Sequence, residues 1–254
     1  MRYFIELAYN GTPFFGWQRQ PEQVSVQEVL GNAVSLLLRS EIELTGCGRT
    51  DTGVHASQYF AHFDYEMALT EEERERLTFK LNAFLPKEIV VFNIYTMSND
   101  AHARFDAISR TYHYHIHLGK DPFAFHFSHR VYEKLNIGKM NEAAEILLKT
   151  TDFTSFSKVN RQVNNFNCKV TEARWIAEGN RLRFEITANR FLRNMVRAIV
   201  GTLLDVGREK MSLEDFCEAI EKKNRSTTGA SVPAHALFLE NVRYPEGFKI
   251  MVNG

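Results

Sequence analysis

An arginine and an aspartate, Arg49 and Asp51, stand two positions apart in the stretch GCGRTDTGVHA (46–56), among three glycines, Gly46, Gly48 and Gly53. Glycine lets a chain turn sharply and come close to a ligand. Asp51 is therefore expected at a loop tip between two strands, presented rather than held in a ladder. A guanidinium within reach favours the ionised carboxylate and lowers its pKa. An ionised, oriented carboxylate serves as a nucleophile or a general base. The same residues also fit a local use, an Asx-turn with a solvated arginine. Asp51-Thr52-Gly53 spells the triplet of aspartic proteases, whose chemistry needs two carboxylates sharing a proton. This chain has one such triplet, preceded by a charge and set in a long, helix-rich sequence. Three letters without their context are a weak signal.

Three further stretches carry side chains suited to a ligand. Between Arg181 and Arg197 there are five arginines and one acid, Glu185. A helix over 190–206 would set Arg190, Arg193 and Arg197 within about 60° of one another, opposite an apolar face. Such a stripe suits phosphate oxygens, which arginine grips bidentately; a solvated helix face is the plainer reading. RTYHYHIHL (110–118) splits as a strand into Tyr112, Tyr114 and Ile116 on one side and His113, His115 and His117 on the other. Imidazoles in a row on a flat strand do not converge on one ion, so an exposed or stacked row is expected, with no metal. Tyr112, at the strand start beside Arg110, has the character of a base-stacking ring. FFGWQRQ (14–20) joins Trp17 to the donors Gln18, Arg19 and Gln20. It reads either as a hydrophobic plug or as a contact for single-stranded RNA.

The elements that must position these groups are legible from periodicity. Strands are expected at 2–9, 41–46, 57–65 and 88–97. Helices are expected at 25–39, with Ser25 and Glu28 as a capping box, and from Thr70, with Glu73 closing a second box. The second half reads as a strand at 110–118, a helix at 138–150, a hairpin at 168–189 turning at Gly179-Asn180, helices at 190–206 and 212–223, and a strand at 236–244. Each half has the order β-α-β-β-α-β. The expected class is α+β, two ferredoxin-like halves over 1–105 and 106–254. Connections near 98–109, 119–137 and 151–167 are the long loops, where function concentrates.

Composition narrows the class. The 254 residues suffice for one large core or two small ones, and the apolar and charged fractions are those of a globular protein. No apolar run nears the roughly 18–20 residues of a membrane span. The opening MRYFIELAYN has no signal-peptide core. Three cysteines without a CxxC argue for a reducing cytoplasm. The formal net charge is zero, yet five acids and one base fill Glu66–Glu75 while arginines crowd 181–197. A neutral total therefore conceals a basic face.

In this order, FFGWQRQ, SVQEVL, GCGRTDTGVHA, HARFDA, RTYHYHI, TDFTSF, RFLRNMVRAIVG and ALFLENVRYP resemble the tRNA pseudouridine synthase A family over nearly the whole chain. GRTDxGVHA and NMVRxIVG are two separate, specific signatures. Thr52 stands where the family usually has alanine, and Asp106 where serine is common. The resemblance implies that Asp51 is the catalytic aspartate and that Arg197 forms its ion pair. Arg49 would be a neighbour shared between Asp51 and RNA, Tyr112 would stack on the target base, and Leu237 or Leu239 would wall the pocket. Trp17, Gln18, Arg104, Arg110, Arg190 and Arg193 would be further substrate contacts. It also implies isomerisation of uridines at positions 38, 39 and 40 of the tRNA anticodon arm, with no cofactor and no metal. The implied architecture is a homodimer whose two ferredoxin-like halves join around a basic cleft.

Overall fold

The computed structural model describes residues 1–158 and 165–248, so the expected loop at 151–167 lies partly outside the described residues. The class is mixed α+β, with nine strands and five α-helices among the described residues. The chain forms two compact units, one of residues 1–108 with the segment from Leu239, the other of residues 109–238.

The first unit holds β1 (Arg2–Tyr9), α1 (Val26–Leu38), β2 (Thr45–Gly46), β3 (His55–Asp64), α2 (Glu71–Phe84) and β4 (Ile89–Met97). Its strands lie in the order β4-β1-β3, with β2 paired to β3. β1 is antiparallel to both neighbours, with Phe4 opposite His62 and Tyr95. Expected to alternate, β1 instead buries Tyr3, Phe4 and Ile5 in succession. Both its faces are covered: Tyr3 stacks on Phe63, and Phe4 stacks on His62 and meets Tyr244 edge-on. A strand in the middle of a sheet covered on both faces needs no polar side.

Helix starts follow their caps. Thr70 and Glu73 form the reciprocal box that opens α2. At α1 the Ser25 side chain accepts from Glu28 N, which is half of the expected box. The strand expected at 41–46 shrinks to β2, because α1 takes its backbone groups. Ile42 N donates to Ser35 Oγ (3.0 Å) and Gln27 Nε2 donates to Leu44 O (2.7 Å). Backbone satisfied by side chains no longer seeks a ladder.

The second unit contains β5 (Ser109–Leu118), β6 (His129–Val131), α3 (Ile137–Lys149), β7 (Val170–Glu178), β8 (Arg181–Ala188), α4 (Met195–Gly207) and α5 (Leu213–Glu221). β8 pairs antiparallel with β5 and β7. The β7–β8 hairpin turns at Gly179 (φ 62°) and Asn180, with Glu178 opposite Arg181. β9 (Leu237–Arg243) follows, and from Leu239 onward it belongs to the first unit, beside β3.

The helix expected from 190 begins only at Met195. Asn194 precedes it in the left-handed region (φ 64°), and its Nδ2 donates to Ser231 Oγ at 2.6 Å. A left-handed residue cannot continue a helix backwards. Arg190 and Arg193 therefore lie in the connecting loop, and the three-arginine helical stripe does not exist; only Arg197 is on α4.

Candidate active site

In the first unit the stretches singled out in the sequence, 14–20 and 46–56, are laced together, with residues from Gly11 onward joining in. Trp17 N donates to Thr50 O (3.3 Å) and Gly53 N donates to Phe14 O (3.3 Å). Glycine makes this lacing possible. A Cβ on Gly16 would lie 2.3 Å from Thr50 O, and its φ of +85° is one that side chains disfavour; a Cβ on Gly11 would lie 2.0 Å from Val54 O. Gly11 N also donates to His55 Nδ1 at 3.0 Å, which fixes that buried imidazole as the Nε2–H tautomer if neutral.

Asp51 sits half-buried in this lacing, between buried Thr50 and exposed Thr52. Its carbonyl accepts from Val54 N at 3.1 Å, so the chain turns directly after it. Thr50 is held from behind: its Oγ1 shares a 2.8 Å hydrogen bond with the Tyr9 hydroxyl in the core. The Tyr59 hydroxyl donates to Gly48 O. Residues 48 and 50 are thus both fastened to strands, and Asp51 is presented at the following turn. Arg49 is exposed.

Trp17 is a correction. Only 1% exposed, it stacks on Tyr59 with ring centroids 4.1 Å apart and tilts against Tyr9. The plug reading holds, and the indole supports the loop from within instead of offering a face to a base. Gln18, half-buried, donates to Gln27 Oε1 (2.8 Å) and ties the loop to α1. Arg104 lies in a separate loop of the same unit, exposed, its guanidinium 5.7 Å from the Phe105 ring. That loop is well fastened: Ala103 N donates to His62 Nδ1 (3.1 Å) and Tyr244 OH to Ala103 O (2.6 Å). The carboxylate of Asp106 accepts from His102 N at 2.7 Å, so this acid closes the loop on itself. Burial, with Arg2 and His102 adding to it, pushes His62 down to about 4.

The second unit gathers its candidates near one end of β5 and β8. Arg110 donates to Asn189 O (3.0 Å), and the half-buried Tyr112 ring meets Phe191 edge-on at 5.0 Å. Arg190 and Arg193 are exposed in the same 189–194 loop. Arg197, in the first turn of α4, donates through Nε to Val232 O at 2.8 Å, and Val232 N returns a bond to Arg197 O. This crossing again depends on glycine: a Cβ on Gly201 would lie 1.8 Å from Ala230 O, and Gly229 N donates to Thr202 Oγ1. Tyr114 is fully buried beside it, with its hydroxyl bonded to Pro233 O; burial raises its pKa well above the ordinary phenol range. Leu237 is buried where β9 begins.

The remaining arginines of 181–197 are committed to acids. Arg181 pairs with Asp121 (3.4 Å) and Arg183 with Glu185 (2.9 Å). The histidine row divides among separate partners. His113 faces Glu185 (3.5 Å), His115 meets Phe238, and His117 Nδ1 bonds Ser128 Oγ (2.6 Å). Among the described residues no group of three or more His, Cys, Asp or Glu could hold a metal ion, and no helix is long and apolar enough to cross a membrane. Sequence reasoning missed Tyr9, Thr50 and Tyr59, which fasten the aspartate's loop, and the Val232 carbonyl that steadies Arg197. The period-two pattern of 2–9 could have flagged Tyr9; nothing local flags Val232.

Comparison with known proteins identifies the family. A profile described as tRNA pseudouridine synthase matches residues 143–245. tRNA pseudouridine synthase A of Porphyromonas gingivalis is 51% identical over 246 residues, covering 96% of this chain and 97% of its own. That of Bacteroides fragilis is 50% identical with the same coverage, and that of Bacillus subtilis is 38% identical over 96% of this chain and 99% of its own. With such identity spread over nearly the full length of both partners, the chain belongs to the tRNA pseudouridine synthase A family of isomerases.

Proposed function

We propose that this protein isomerises uridine to pseudouridine at positions 38, 39 and 40 of the tRNA anticodon arm, with Asp51 as the catalytic carboxylate. The reading is carried by one observation above others: Asp51 stands at a turn whose preceding residue is bonded to the core through Tyr9 and whose backbone is laced to 11–17. A carboxylate so fixed meets the requirement of positioned chemistry. The reaction breaks the bond between C1′ and N1, turns the uracil, and joins C1′ to C5; the proton lost from C5 is matched by one gained at N1. No atom enters or leaves overall and there is no net change of oxidation state, so no external oxidant or reductant is required. Asp51 acts beside the sugar, as a nucleophile or as the base that starts glycosidic cleavage.

Access requires the base to leave its stack, which costs a few kcal/mol. Tyr112 recovers part of that by stacking on the everted ring. Arg197 forms the ion pair that keeps Asp51 charged in a pocket walled in part by Leu237. Exposed Arg49, Arg104, Arg190 and Arg193, together with Arg110, grip phosphates, so the arm is read by shape and several adjacent uridines qualify. In this reading the two units are ferredoxin-like halves around a basic cleft, and the enzyme works in the cytoplasm as a homodimer.

The deciding experiment compares wild type with Asp51→Ala on tRNA carrying 5-tritiated uridine. Tritium release should fall by about 10³-fold or more, while tRNA retention on filters stays within a few-fold. Undiminished release by the variant would remove Asp51 from the mechanism.

A further inference from the structure

We infer that Ser231, braced by Arg225, is a positioning residue for the reaction: the pair sets the angle at which α4 presents Arg197. The inference rests on the preceding reading of Arg197 as the partner of Asp51, and it extends that reading to two side chains that act through Arg197.

Residues 225–232 run past α4 as a strap bonded to the helix at three places. Gly229 N donates to Thr202 Oγ1 (3.0 Å), and Asn194 Nδ2 donates to Ser231 Oγ (2.6 Å). Val232 makes two bonds with Arg197: its N donates to Arg197 O (3.2 Å), and its O accepts from Arg197 Nε (2.8 Å). The last bond aims the guanidinium. Held at Nε, next to the central carbon, the whole planar fork takes its orientation from Val232 O. A shift of that carbonyl swings both terminal nitrogens, and Ser231 is its immediate neighbour in the chain.

Ser231 also meets α4 at its origin. Asn194 is left-handed, and its carbonyl accepts from Ala198 N (3.0 Å), so it starts the turn that carries Arg197. Ser231 Oγ takes a second donor, Arg225 Nη2, at 2.9 Å. With both lone pairs engaged, the hydroxyl is fixed between the helix start and the strap. Arg225 spans the strap itself. Its Nη1 donates to Thr228 Oγ1 (2.7 Å), while Nη2 reaches on to Ser231. Thr228 Oγ1 lies 3.0 Å from the carbonyl of Ser155, a buried residue whose Oγ donates to Ala219 O. The brace therefore ends in the core. These acceptors of Arg225 are neutral oxygens, and burial lowers its pKa. A guanidinium drawn from water and spent on hydroxyls serves through its rigid fork, which lysine and glutamine do not reproduce.

A double-mutant cycle on the full chain, read by single-turnover tritium release from 5-tritiated tRNA, tests this. Ser231→Ala, Arg225→Gln and Arg225→Lys should each slow release by about 10- to 100-fold, with tRNA affinity kept within a few-fold. In an Arg197→Gln background the same changes should cost almost nothing more, because the group they aim is gone. A purely structural role would slow both backgrounds alike. Ser231→Ala removes a single hydroxyl and decides the matter if the Arg225 variants do not fold. Wild-type release by Ser231→Ala, or full additivity with Arg197→Gln, would overturn the inference and leave the role of Arg197 standing. Wild-type release by Arg197→Gln would overturn both. Full rescue by Arg225→Lys, or a loss confined to tRNA affinity and its salt slope, would make Arg225 a phosphate contact and equally overturn the inference.

Discussion

Two charged side chains are positioned by the same device in different settings. In the first unit, the loop of Asp51 is approached by Gly16, whose absent Cβ would sit against Thr50 O. In the second unit, the helix of Arg197 is approached by the segment 229–232, and there the missing side chain is that of Gly201. The first glycine is a loop residue with positive φ, the second lies within α4. The aspartate is thus held by backbone on backbone, while the arginine is held on a rigid helix with its own guanidinium bonded to Val232 O. A loop tied by backbone bonds fixes a short side chain closely. A long side chain needs a bond near its end to reach the same precision.

The largest effect that sharpens this contrast is expected from Gly201→Ala, whose new methyl on the buried face of α4 would meet Ala230 O at 1.8 Å. Thermal denaturation should show a loss of about 3–4 kcal/mol. Gly16→Ala adds left-handed strain to a looser, 2.3 Å approach, and should cost about 2–3 kcal/mol. Equal or negligible losses would mean that the two crossings yield easily and that the comparison fails.

A milder probe is pH. His62 is buried, accepts from Ala103 N, and has its pKa depressed to about 4. An unfolded chain binds that proton near pH 6.5, so between 6.5 and 4 the unfolded state holds more protons and stability rises with pH. The contribution is complete above pH 6.5 and drains away on acidification, on the order of 2 kcal/mol by pH 5. Melting temperatures across that window should fall in the wild type and flatten in His62→Gln.

The smallest effect belongs to Tyr9→Phe, which deletes the hydrogen bond behind Thr50. Stability should drop by about 1 kcal/mol. Tritium release should fall further than the stability loss explains, with tRNA affinity preserved, because the bond positions the residue next to Asp51. Turnover equal to wild type would reduce that bond to packing.

What the sequence revealed was what neighbours decide. Thr70 with Glu73, and Gly179-Asn180, act within a few residues, and both stand where they were expected. Asp51 was legible as a carboxylate presented at a turn because glycines and charge stood together. What failed was what distant partners decide. Asn194 turns left-handed beside Ser231, 37 residues on, and the arginine stripe goes with it. The strand at 41–44 is lost to Ser35 and Gln27 of a helix. Trp17 looked like a ligand surface because its donors are adjacent in sequence, but its burial is decided by Tyr59. No periodicity announces such partners.

The bond between Tyr9 and Thr50 spans 41 residues of chain. The aspartate's setting is therefore a nonlocal contact, and it comes into being only once β1 has found β3. Denaturant that parts those strands dismantles the turn presenting Asp51 in the same step, so loss of that turn and loss of the sheet run together.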